Sequence, residues 1–140
     1  MKSLDTLIRL HRQGVDEKRL GRVALEEERE ALVSLADGLA RELEAERRAA
    51  AESLEARYTF EAYAERMTAR QRAVAGEIAT FDATLVRADD EIAAAFRELK
   101  RYEISRDTRE TRERNALARR ERMRLDEIGA NQHRRRVHGG

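Results

Sequence analysis

Proline and cysteine are both absent from the 140 residues, and so is tryptophan. Without proline, no ring interrupts a helix anywhere along the chain. Without cysteine there is no disulfide framework and no thiolate metal site, which fits a reducing compartment. Aromatic residues are scarce, with three Tyr and three Phe. No apolar run approaches the roughly 18 residues that read as a membrane span. The opening Met1-Lys2-Ser3-Leu4-Asp5 has no apolar h-region, so no signal peptide is visible and the protein is expected in the cytoplasm.

What fills the chain instead is Ala, Glu, Leu, Lys and Arg, which together make up 86 of 140 residues. That exceeds the roughly 50% of these types that marks a coiled coil or long helix. The net charge is +1, but it is unevenly spread. Residues 1–96 hold 15 Lys/Arg against 20 Asp/Glu, whereas residues 97–140 hold 14 against 8. A basic terminal third on a mildly acidic body points to an interaction end.

The second half carries the clearest period. Ile78, Phe81, Leu85, Ala88, Ile92, Ala95, Leu99 and Tyr102 follow alternating steps of three and four, an a/d seam that predicts supercoiling against a partner helix. The apolar seam ends at Arg106. Upstream, Phe60, Tyr63, Met67 and Val74 keep heptad spacing, and the step from Val74 to Ile78 reads as a stutter. In the first half, Leu25, Leu32, Leu35, Leu39 and Leu43 make a seam with Glu28 in an apolar slot. Leu4, Leu7, Ile8, Val15 and Leu20 form a looser stripe, which carries Gly14 and Gly21 seven residues apart. Each glycine costs about 1 kcal/mol against alanine inside a helix, and either close packing or simple tolerance would account for the pair.

Between these arms the seam is lost, and Ser53 and Thr59 are the available caps. The fold class is therefore expected to be all-α: two long helices forming one antiparallel coiled-coil hairpin over residues 1–140. Helix 1 should span about 4–52, the tip 53–60 and helix 2 about 61–130, followed by a disordered basic tail over 131–140. The rival is one uninterrupted helix that dimerises as a structural scaffold. Folding back at the tip pairs residues whose numbers add to roughly 114, setting Leu39 near Val74, Leu32 near Phe81, Val15 near Leu99 and Ile8 near Arg106. Met1 then lies opposite about residue 113, and the second helix overhangs the first by about 20 residues, or about 30 Å.

No catalytic constellation is visible, no cofactor is implied and no enzyme activity is expected. The seven glycines form no phosphate-binding loop. His11, His133 and His138 do not share a helix face, and Asp89-Asp90-Glu91 points its carboxylates in different directions. The candidate site is the overhang with its arginines, Arg106, Arg109, Arg112, Arg114, Arg119, Arg120, Arg122 and Arg124, whose forked guanidinium groups suit carboxylates. Asp107, Glu110, Glu113, Glu121, Asp126 and Glu127 are interleaved among them, and no aromatic follows Tyr102, so nucleic acid is not the expected partner. Tyr58, Phe60 and Tyr63 at the tip are a second candidate docking patch, or a hydrophobic cap over the tip.

The stretch Ala95-Phe96-Arg97-Glu98-Leu99-Lys100-Arg101-Tyr102-Glu103 resembles the second helix of the FliJ family of flagellar export proteins, relatives of the YscO-type injectisome stalks. Leu4-x-x-Leu7-Ile8-Arg9-Leu10-His11-Arg12, Asp16-Glu17-Lys18-Arg19 and Leu125-Asp126-Glu127-Ile128 are similar too. The resemblance implies a soluble antiparallel coiled coil, monomeric when free, that inserts the end carrying both termini into the ring of the FliI-like export ATPase. It also implies contact with the FlhA-like export gate, escort of export chaperones, and recruitment to the cytoplasmic face of the inner membrane through those partners. On this chain the inserted part would be about Arg106 to Arg136.

Overall fold

The computed structural model describes residues 2–139. It contains two helices, α1 (Lys2–Ala50) and α2 (Leu54–His138), packed as an antiparallel hairpin. The alternative of one uninterrupted helix is excluded by the break at 51–53.

The turn is three residues long, 51–53, and meets the expected tip at 53–60 only at Ser53. Among the described residues no φ is positive, so a turn without glycine is unstrained. The end of α1 tightens through i→i+3 bonds, with the Ala51 and Glu52 amides donating to the Arg48 and Ala49 carbonyls at 3.3 and 3.2 Å. Ser53 caps α2: its Oγ accepts from the Ala56 amide at 3.1 Å. Arg57 reaches back and donates to the Ala51 carbonyl at 3.3 Å. Ser53, Ala56 and Arg57 together start α2 at Leu54, so residues expected in the tip are already helical.

The chain divides into two compact units. In the first, Gln13–Phe96, the core is Leu39, Met67 and Val74, with Leu32, Ala36, Leu43, Tyr63 and Ile78 packed on it. Val15 and Ala50 are also buried there. The Leu39–Val74 pairing matches the fold-back expectation. The α2 seam needs no stutter. Ala64 and Gln71 are half-buried alongside buried Met67 and Val74, so the step from Val74 to Ile78 is the ordinary four-residue step of an unbroken frame. The α1 seam has a different phase from the expected one. Arg29 and Ala36 are half-buried at seam positions, while Glu28 and Leu35 lie exposed, Leu35 by 39%. Leu20 is exposed as well. A Cβ added at Gly14 or Gly21 would meet nothing within 4 Å, so tolerance and not close packing explains both glycines.

In the second unit, Met1–Arg12 with Arg97–Gly140, Ile8 and Leu99 are buried, Ile8 at 1% exposure. The His11 and Tyr102 rings lie 4.8 Å apart. Leu4 and Asp5 sit beside Arg106, Arg109, Glu110 and Glu113 around a small cleft. The pairing expected of Met1 falls outside the described residues. From Asp107 to Gly139 every residue is exposed. The tail expected to be disordered over 131–140 is helical through His138, and Gly140 lies outside the described residues. Nothing in 129–138 forbids a helix beyond the cost of Gly129, and Arg135, Arg136 and His138 in the last turn offset the negative end of the helix dipole.

Candidate functional site

The eight arginines singled out in the sequence are not equivalent. Arg106 holds the last seam position and is half-buried, its guanidinium nitrogens 3.4 Å from Asp107 Oδ1. Arg109 shares the small cleft beside Leu4 and Asp5. Arg112, Arg114, Arg119, Arg120, Arg122 and Arg124 project from the part of α2 that α1 does not cover. Among the described residues, no ion pair joins positions 112 to 138. At about 100° per residue these arginines do not collect on one face but encircle the helix. A flat partner could meet only a few of them, whereas a socket could meet most.

The segment from Arg114 to His138 is 25 residues of a single helix, or about 37 Å at 1.5 Å per residue. It is longer than the expected overhang because the tail continues the helix. It carries apolar side chains as well as charges: Leu117, Met123, Leu125, Ile128 and Val137 are all exposed.

At the base of this segment, Arg12 joins Glu103 at 3.2 Å and Lys100 joins the other oxygen of Glu103 at 3.1 Å. The hydrogen bond from Lys100 is the main reason the Glu103 carboxyl is held below its ordinary range; the bond from Arg12 adds to it, against partial burial.

Only two of the three tip aromatics are brought together. Tyr58 is 89% exposed, while Phe60 and Tyr63 lie 6.4 Å apart, with Tyr63 packed on the Leu39 cluster. Partial burial raises the Tyr63 hydroxyl above its usual value, and the neighbouring Glu46 and Glu42 add to the shift.

One feature went unread in the sequence. Arg22 pairs with Asp89 and Arg29 with Asp82, so that two arginines seven apart meet two aspartates seven apart. Arg22 also bonds Glu26 at 2.8 Å, placing one cation between two carboxylates. Hydrogen bonds and charge from Asp89 and Asp82 push both guanidinium groups above their ordinary value. Lys18 and Glu91 add a looser pair at 3.7 Å, and Arg19 lies over the Phe96 ring. The matching seven-residue spacings were the available signal.

Among the described residues, no group of three or more His, Cys, Asp or Glu side chains could hold a metal ion, and no helix is long and apolar enough to cross a membrane. Family models, curated proteins and solved structures were all compared with this chain, and none matches.

Proposed function

We propose that this chain is a non-enzymatic stalk of the FliJ kind. In this reading it is cytoplasmic, inserts the arginine-bearing end of α2 into the ring of a flagellar-type export ATPase, and couples that ring to the export gate at the inner membrane while escorting export chaperones. The observation that carries the reading is a single helix extending past the start of α1 with arginines on every side. Such a cylinder suits a partner that surrounds it. The resemblance of residues 95–103 to the family's second helix supports the same choice. A stalk does no chemistry of its own; it acts by binding ring subunits differently in their different nucleotide states.

The test is charge reversal where the hairpin does not depend on it. Arg119→Glu, Arg120→Glu and Arg122→Glu together are expected to weaken binding to the export ATPase by at least about tenfold, since several arginine–carboxylate contacts are lost at once. Calorimetry or pull-down measures the binding, and an unchanged melting curve shows the hairpin intact. Unaltered affinity would sink the proposal.

A further inference from the structure

The seam of α1 repeats itself at heptad spacing. Leu25, Leu32 and Leu39 are the same residue at seven-residue intervals, and all three are buried or half-buried. The facing row on α2, Met67, Val74 and Phe81, has the same interval. In the observed register Leu39 packs in one cluster with Val74 and Met67. If every contact moves seven residues back along α2, Leu39 sits level with Met67, Leu32 with Val74 and Leu25 with Phe81. A leucine replaces a leucine at Val74 and at Phe81.

The ion pairs follow the same step. Arg22 leaves Asp89 for Asp82, and Arg19 leaves the Phe96 ring for Asp89. Arg29 and Lys18 lose their acids, since Ala75 takes the place of Asp82 and Thr84 that of Glu91. The Lys18 pair is the looser of these, at 3.7 Å. The turn favours this direction. Ala50, at the end of α1, shares a groove with Thr59, Phe60 and Tyr63. The start of α2 therefore stands past it, with Leu54 85% and Tyr58 89% exposed. Seven residues back, Ala50 lies level with residues 52–56, which the turn at 51–53 can join. The opposite step would stretch that turn by about 10 Å more and set Leu32 and Leu25 over Ala88 and Ala95.

We infer that the Gln13–Phe96 hairpin has a second register, one heptad or about 10 Å away, and that the Arg29–Asp82 pair latches the observed one. The latch is light by construction, because half-exposed pairs contribute little. A partner that binds the second register better can therefore populate it. The inference goes beyond the stalk reading and does not depend on it, because both registers belong to this chain alone.

The test exploits the absence of cysteine. Three full-length variants share Ala36→Cys and add Ile78→Cys, Gln71→Cys or Leu85→Cys, reporting the observed, the second and the opposite register. Each is oxidised by glutathione disulfide at low concentration, and intramolecular closure is followed by mass. A disulfide needs Cα atoms within about 7 Å, so a rigid hairpin closes only the first pair. The Ile78 pair should close fastest, the Gln71 pair measurably and the Leu85 pair not at all. Arg29→Ala should speed closure of the Gln71 pair by about threefold, the worth of one exposed pair. So should Ala75→Asp, which gives Arg29 an acid in the second register, whereas Arg19→Ala should slow it. The closed Gln71 product should keep the helical circular dichroism of the starting chain. An unreactive Gln71 pair would overturn the inference. So would a Leu85 pair that closes equally fast, a rate indifferent to Arg29 and Ala75, or a closed product that has lost helix, each of which means general opening and not a step.

Discussion

Two stretches of the same seam in the Gln13–Phe96 unit are held together by different forces. Near the turn, Leu39, Met67 and Val74 are buried against one another, with Leu39 only 3% exposed. Further along, the α1 seam positions are taken by Arg22 and Arg29, which reach sideways to Asp89 and Asp82. Opposite them, α2 keeps Phe81, Leu85, Ala88 and Ile92, all only partly covered. The apolar cluster removes hydrocarbon from water and has no directional requirement. The arginine belt gains little from half-exposed charges, but it has a definite geometry. Arg29 finds Asp82 only if α2 runs antiparallel in this register. The cluster therefore supplies cohesion and the belt supplies alignment.

Leu39→Ala should have the largest effect. It opens a hole in the cluster and should cost about 2–3 kcal/mol, read as a lower midpoint in urea unfolding. A loss well below that would mean the hairpin does not rest on this cluster. Next comes the opposite experiment on the belt. Arg22→Leu with Arg29→Leu places apolar side chains against Phe81, Leu85 and Ala88 and leaves two aspartates that are already half in water. The double variant should melt above wild type by circular dichroism, as apolar replacements of half-buried ion pairs commonly do. A lower melting point would show that the charges, and not only the hydrocarbon, hold the helices together.

The smallest effect concerns Glu103. Its carboxyl is depressed by Lys100 and Arg12, so the stabilisation it provides is present above the ordinary carboxylate range and is lost as pH falls through the lowered value. Wild type and Glu103→Gln should differ by no more than a few degrees at neutral pH, with wild type the higher. The two curves should converge in acid, and a gap that persisted there would remove the role assigned to Lys100 and Arg12.

Much of α2 was legible. All eight seam positions from Ile78 to Tyr102 are buried or half-buried, because a strict three-and-four spacing leaves one stripe to cover. In α1 the reading slipped by one residue in places. Leu25, Leu32 and Leu39 fit two interleaved patterns, one through Glu28 and Leu35 and the other through Arg29 and Ala36. The apolar residue looked the better core candidate, but the structure chose the second. Neighbouring positions differ by about 100° around the helix, and only the second pattern also carries Leu4, Ile8, Val15 and Leu43 towards α2. At the candidate site, the extension past the start of α1 was foreseen from arm lengths. Its full reach was not, since composition near Arg134–His138 looks like a tail although no residue there breaks the helix. The encircling arrangement of the arginines followed from that helicity.

Residue order alone makes the chain helical, gives α2 one seam and lets its basic end outrun its partner. These follow from local periodicity and from counting residues. Helix-on-helix packing sets which of two phases α1 presents, where within the seamless stretch the chain turns, and that Arg22 and Arg29 find Asp89 and Asp82. Each of these depends on what stands opposite a residue, and a single helix has no opposite side until a second one lies against it.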